Sequence, residues 1–329
     1  MCGILYVSTE DAIDAEGDHM RHSLYWDDFE RRAEETVQAL RHETRPTVRR
    51  IAVFVTDRCS FRCSYCNYEI RNQDMTEEEF DSIVQQYGDG AIIHITGGEP
   101  SVVRWLYPYL RAHGDKCRFH LNTNAFVAPP SESIQRLKVS LDSYDREYWN
   151  ALVGVNAFDR VVQNIKDAIP HTVVSITYTM SHENMREIPE FIRFVNREFP
   201  GLYATFFSVY KGDNKRFVIT PDDAELFFNE IKPQMEELLD AESAALLNET
   251  VDEKFRIMQD VRFPGNDKGV CYLSLSERVF AAGGQCSACS HLWRDGVNNE
   301  PGSKFEQCTY GCNQRLAAFN KLVEQRLLA

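Results

Sequence analysis

Three cysteines in VTDRCSFRCSYCNYE set the first chemical constraint: Cys59, Cys63 and Cys66 stand in a C-x3-C-x2-C spacing on one short stretch. Three thiolates so close can hold three irons of a four-iron, four-sulfur cube and leave the fourth iron open to an outside chelator. An open iron is what one-electron chemistry on a bound small molecule requires. A structural zinc site would ask for four closed ligands, usually two pairs, and no fourth donor stands near this triplet. Seven further cysteines follow the same economy. Five fall between residues 271 and 312 (Cys271, Cys286, Cys289, Cys308 and Cys312), and only Cys2 and Cys117 stand apart. In a chain whose start lacks the zones of a secretory leader, clustered thiols point to metal or redox work rather than to disulfides.

The segments that follow supply polar groups at regular intervals. Thr96-Gly97-Gly98-Glu99-Pro100 ends one apolar run, HLNTN (120–124) ends the next, and VSLDS (139–143) the one after. Taken singly, each is a turn glycine or a satisfied polar group at a strand end. Taken together with the cysteine spacing, they resemble the radical S-adenosylmethionine (SAM) superfamily. That resemblance covers roughly residues 50–210. It implies a catalytic [4Fe–4S] cluster on Cys59, Cys63 and Cys66, with SAM on the open iron. It further implies SAM contacts from Tyr65, from Thr96, Gly97, Gly98 and Glu99, and from Asn122, Ser140 and Asp142. Glycine at 97 and 98 is expected to let the backbone come close to the ligand. The chemistry implied is reductive cleavage of SAM to a 5′-deoxyadenosyl radical that takes a substrate hydrogen, the cofactors doing the hard step and the protein positioning it.

The second cysteine group adds another likeness. Cys271, Gly284 and Cys289 resemble the hairpin of SPASM and twitch domains, which carry auxiliary iron–sulfur clusters. The resemblance implies a second [4Fe–4S] cluster, for electron transfer, on Cys271, Cys289, Cys308 and Cys312. Cys286 is the surplus thiol and leaves the ligand set open, since Cys286-x2-Cys289 is itself a pair; four cysteines in two groups also suit structural zinc. Cys286 and Cys117 are candidates for a thiol that returns a hydrogen atom to a substrate radical, with a small buried hydrophobe as the plainer reading.

The elements that must position these groups are legible as a pattern. Strands are expected at Ile51–Thr56, Ala91–Ile95, Cys117–Leu121, Leu137–Leu141, Thr172–Met180 and Leu202–Val209. Helices are expected at Thr76–Tyr87 (capped by Thr76 with Glu79 three residues on), Val102–Ala112, Asn156–Ala168 and Asn184–Glu198. Six strand–helix units favour a parallel sheet with helices outside and are too few for a closed eight-stranded barrel. The expectation is an α/β fold: a partial (β/α)6 TIM-type barrel over 49–220, with chemistry at the C-terminal strand ends. A helical extension precedes it (1–48, its helix near Ser23–His42), a helical bridge follows (221–265), and a small hairpin–helix, twitch-like module closes the chain (266–329). In that module CYLSLSERVFAAGGQCSAC reads as a β-hairpin, with Leu273 and Leu275 alternating and Gly283-Gly284 as its turn.

Composition narrows the partners. The 329 residues carry a formal net charge of −14, which argues against broad nucleic-acid binding without excluding a local basic patch. The longest apolar runs are of strand length, too short to span a bilayer. A cytoplasmic enzyme is expected, working on a compact polar metabolite such as an amino sugar or nucleoside. The expected outcome is oxidation or isomerisation, with a flavodoxin or ferredoxin as reductant. The alternatives are modification of a ribosomal peptide or of a base in nucleic acid, and a non-catalytic iron–sulfur or zinc protein.

Overall fold

The computed structural model describes residues 30–67, 72–210, 212–241, 243–244, 247, 269–289, 305–308 and 314–329. Six parallel strands form its centre: β1 (Arg50–Phe54), β2 (Ile92–Thr96), β3 (Arg118–Thr123), β4 (Arg136–Ser140), β5 (Val173–Met180) and β6 (Ala204–Val209). A short β7 (Gly269–Cys271) comes next, followed by β8 (Glu277–Ala281), β9 (Gln285–Ser287) and β10 (Phe305–Cys308). The main sheet runs in the order β6-β5-β4-β3-β2-β1-β8-β9. Its ends, β6 and β9, do not meet, so it is an open partial barrel, as expected.

Every expected strand of the six is present within two residues of its sequence limits. The reason is visible in the alternation: Ile51, Val53, Ile93, Ile95, Phe119, Leu121, Leu137 and Val139 are at most 1% exposed, and their neighbours point to the opposite, concave face. The buried set packs against α2 (Glu77–Tyr87), α3 (Leu106–His113), α4 (Arg146–Val153), α5 (Phe158–Ala168) and α6 (Ile188–Glu198). Each fully buried aliphatic side chain contributes about 2 kcal/mol by transfer alone. Helix α2 starts at the expected capping box, Thr76 and Glu79 exchanging bonds with each other's backbone. Helix α4 was not expected; Asp145 caps its start and Gly154, at φ 72°, closes its end.

The C-terminal segment departs from the expected separate module. Leu273–Ser276 is a turn of helix, not a strand, and Leu273 and Leu275 are both buried against the first helix, α1 (30–41), and Phe319 and Val323 of the last helix (Gln314–Leu328). The hairpin comprises β8 and β9 only, its turn made by Gly283 and Gly284 at φ 76° and 71°. Rather than standing apart, β8 pairs in parallel with β1, Arg50 opposite Glu277 and Phe54 opposite Ala281. Of the expected elements, residues 23–29 and 248–268 lie outside the described residues, as do Cys2 and Cys312.

Candidate functional site

The three cysteines follow β1, at the C-terminal end of the sheet where the strands of such folds present their chemistry. Four neighbours fix this loop. At its base Thr56 Oγ1 donates to Asp74 Oδ1 (2.6 Å), Arg58 Nε reaches the same carboxylate (2.8 Å), and a second guanidinium nitrogen closes the pair. From β2 the Gly98 N–H donates to Thr56 O and the Glu99 N–H to Arg58 O, both at 2.8 Å. From α4 the carbonyls of Val153 and Leu152 accept from the N–H groups of Arg62 and Ser64, at 2.9 Å each. Beyond β3, Asn124 Nδ2 donates to Ser60 Oγ. Within the loop Arg62 folds back on the carbonyls of Cys59 and Phe61 (2.7 and 2.8 Å).

Cys59 and Cys63 are half-buried and Cys66 is exposed. The Phe61 N–H donates to Cys59 Sγ (3.4 Å), a contact that favours the thiolate. Burial pushes Cys63 up to about 12, and the nearby Asp142 carboxylate and the other two thiols add to the shift. Burial also raises Cys59, with Glu99 and Cys66 contributing. Cys59 and Cys63 therefore sense the charge of neighbouring thiols, the condition that bound iron would relieve. Among the described residues no three Cys, His, Asp or Glu side chains converge on the scale of a single metal ion, whereas a cubane takes each thiolate on a different iron. The donor set and its fixed backbone fit such a cluster.

The residues expected to touch a cofactor sort into two groups. Thr96 and Ser140 end β2 and β4 with side chains alternating onto the concave face, and Asn122 lies on that face of β3. Glu99 and Asp142 instead turn into the protein. Glu99 is 1% exposed, and its carboxylate accepts from Thr123 Oγ1, the Asn124 N–H and the Ser101 N–H at 2.7–2.9 Å. Burial raises its pKa, and those hydrogen bonds oppose the rise. Asp142, also 1% exposed, accepts from Tyr65 Oη (2.5 Å) and the Thr179 N–H (2.6 Å). Tyr65 is thereby fixed between Asp142 and the edge-on ring of Phe217 (6.1 Å), and burial lifts its phenol well above the usual range. Gly97 and Gly98 serve a closer neighbour than a ligand: a Cβ on either would stand 2.3 Å from a carbonyl oxygen of the cysteine loop, Thr56 O and Arg58 O respectively.

The two hydrogen-donor candidates do not reach the concave face. Cys117 precedes β3 at the N-terminal end of the sheet and is buried against Gly88 beyond α2. Cys286 pairs across the hairpin with Phe280 and so shares its face; Phe280 packs on Tyr87 of α2, on the outer side. Neither thiol therefore lies on the face of the sheet that carries Thr96, Asn122 and Ser140. In the second cysteine group Cys271 is buried beside the α1 cluster and Cys289 half-buried. The β7–β10 pairing sets Cys308 opposite Gly269, two residues from Cys271. Asp74, and the α4 carbonyls that anchor the loop, were missed by sequence reasoning; the Asp74 signal is too far along the chain from its partners to be read locally.

Residues 53–195 match the family model of the radical SAM superfamily. A GTP 3′,8-cyclase of Marinobacter nauticus is 33% identical over 170 residues, covering 46% of this chain and 52% of that protein. A probable GTP 3′,8-cyclase of Saccharolobus islandicus is 27% identical over 161 residues, covering 43% and 51%. The chain thus spans about half the length of the curated relatives it matches. Among solved structures, Streptococcus suis SuiB bound to S-adenosylmethionine shares the fold with a TM-score of 0.57 at 15% identity, over 90% of this chain and 75% of that one.

Proposed function

Because residues 53–195 form a radical SAM domain, we propose that Cys59, Cys63 and Cys66 hold its [4Fe–4S] cluster and that the protein removes a hydrogen atom from a small polar substrate lying on the concave face. The observation that carries this reading is the cysteine loop itself, three thiols presented at the strand ends by a backbone that β2, α4, Asn124 and Asp74 fix. When bound, the cluster and SAM supply the 5′-deoxyadenosyl radical. The chain's own work is to position and enclose. Tyr65, the residue before the third cysteine, is held by Asp142 and the ring of Phe217 and so helps to fix that end of the loop. Thr96, Asn122 and Ser140 offer polar contacts from three successive strands, and the bracket of Glu99 keeps the ends of β2 and β3 in register.

For the second group, we read Cys271, Cys289, Cys308 and Cys312 as ligands of an auxiliary cluster. The adjacency of β7 and β10 supports this. A cluster with four protein ligands cannot chelate substrate, so its work is electron transfer. Relatives named GTP 3′,8-cyclase favour a nucleoside or nucleotide over an amino sugar as the substrate class.

Anaerobic reconstitution followed by an iron count tests both assignments. The wild type is expected to hold about eight irons and the Cys59, Cys63 and Cys66 triple alanine variant about four. The reduced wild type should release 5′-deoxyadenosine from SAM and the variant none. A triple variant that keeps its full iron and its SAM cleavage refutes the assignment.

A further inference from the structure

The four neighbours that fix the cysteine loop hold residues 56–64, and the third cysteine comes after them. Cys66 is the exposed thiol of the three. Its N–H donates to Cys63 O (3.0 Å) and closes a turn. Its two chain neighbours, Tyr65 and Asn67, both meet a more distant part of the fold. Tyr65 stands edge-on to Phe217 (6.1 Å), and Asn67 Oδ1 accepts from Tyr210 Oη (3.2 Å).

Tyr210 and Phe217 belong to one segment, between β6 and the helix Pro221–Leu226. Tyr210 directly follows β6, and its N–H donates to Met180 O (2.8 Å), so the β5–β6 ladder sets its place. The Phe217 N–H donates to Asn214 O (2.9 Å) in a turn, and its carbonyl accepts from the His182 N–H beyond β5 (3.1 Å). Arg216 lies over the Phe217 ring (5.1 Å) and pairs with Glu183, whose other oxygen accepts from Tyr148 Oη of α4 (3.2 Å). Leu152, Tyr210 and Phe217 are at most 8% exposed. With Tyr65, Tyr148 and Val218 they form a small apolar cluster separate from the main core.

Two features set the Tyr210–Asn67 bond apart from a chance contact. Strand β6 ends the main sheet, and four strands separate it from β1, which leads into the cysteine loop. The bond joins the two across that span, at the strand ends. Gly212 leaves room for it, because a Cβ there would overlap both Tyr210 Oη and Asn67 Nδ2. A larger residue would have to push the pair apart.

A ligand that follows the last backbone anchor of its loop takes its direction from the groups around it. We propose that Tyr210, through Asn67, and Phe217, through Tyr65, are positioning residues for Cys66, holding the third thiolate in place for the cluster. The inference rests on the proposed radical SAM site, since a bound cluster is what makes the direction of Cys66 matter. Without this strap two thiolates stay fixed and the third swings, so the cluster opens at that corner first.

Reconstituted full-length protein, reduced and challenged with a ferrous chelator, tests this. The signal to follow is the part of the electron paramagnetic resonance spectrum that shifts when SAM is added. A cluster needs an open iron to respond in that way, so a fully ligated auxiliary cluster does not contribute. In Tyr210→Phe this signal is expected to decay about fivefold faster than in the wild type, as loss of one uncharged hydrogen bond implies. Asn67→Ala should match it, and the double variant should decay no faster than either single, because the two side chains act through one bond. Gly212→Ala should speed the decay as well. Tyr109→Phe removes another tyrosine hydroxyl bond, to Asp81 between α2 and α3, and should decay as the wild type does. A wild-type signal whose decay is indifferent to Tyr210→Phe, or a double variant that multiplies the single effects, overturns the inference alone. Absence of any SAM-shifted signal in the wild type overturns the proposed function, and the positioning role with it.

Discussion

Glu99 and Asp142 sit where sequence reasoning looks for ligand contacts, and both are turned into the protein to hold the strand ends. Their position was legible because each follows a strand whose apolar alternation is clear; their orientation was not, because it depends on donors that other strands supply. Asp142 takes its proton donor from Tyr65, 77 residues earlier in the chain. Tyr65→Phe should therefore leave a buried carboxylate one donor short and destabilise the cluster-free protein by about 1–3 kcal/mol, measurable as a lowered urea midpoint. Glu99→Gln keeps the shape of the bracket but gives up its charge-assisted bonds, with a loss of similar size expected. An unchanged midpoint in either variant would mean that these bonds are replaced by water. Cys117 and Cys286 teach the converse. A thiol's type is visible in sequence, but its face is set by register, and register turned both away from the concave side.

At the level of elements, the glycine pair after β2 is shaped by the loop it touches. Gly97 has φ 150°, and a methyl group there would overlap Thr56 O. Gly97→Ala is expected to cost at least about 1 kcal/mol and to displace the base of the cysteine loop. Iron retained through gel filtration after reconstitution should fall in consequence, and full retention would show that the loop can be fixed without this approach.

A second element, the helix Pro221–Leu226, is clasped at its start. Asp223 is 5% exposed and accepts from the Thr220 N–H, the Thr220 hydroxyl and His182 Nδ1 at 2.7–2.8 Å. Burial works to raise its pKa, but the bonds from Thr220 and His182 outweigh it and the net shift is downward. A depressed carboxylate stabilises the fold above its unfolded value of about 3.9 and loses that contribution as the pH falls through the lower folded value. Asp223→Asn should thus lie below the wild type by about 1 kcal/mol at neutral pH. The gap in urea midpoint should hold down to about pH 4 and then close. A gap that persists undiminished well below pH 3 would place the effect in shape rather than charge. Helix α4 shows how legibility fails for short elements: Asp145 and Gly154 were both present as signals, but eight residues offer too little periodicity between them. Leu273 and Leu275 fail differently, since two apolar residues two apart fit a strand as well as a buried turn of helix.

For the whole molecule, the six parallel strands could be read from the sequence because each carries its own alternation, whereas the seventh could not. Nothing local announces that Glu277–Ala281 belongs beside Arg50–Phe54, and only the tertiary pairing makes β8 part of the main sheet. A chain ending at residue 247 would uncover the edge of β1, next to the apolar row of Ile51 and Val53, and such edges recruit other chains. It should elute as aggregate in size-exclusion chromatography, and a monomeric, folded product would show that β1 can stand as an edge.

The same pairing sets an order of events during synthesis. The strand that leads into Cys59, Cys63 and Cys66 is made early, but its neighbour on one side leaves the ribosome some two hundred residues later, at roughly 5–20 residues per second. For that interval of ten seconds or more the nascent protein offers its cysteine loop beside an unfinished sheet. Iron delivered then would meet thiols on a loop whose leading strand still lacks one neighbour, and iron delivered afterwards would meet the same thiols on a strand paired on both sides.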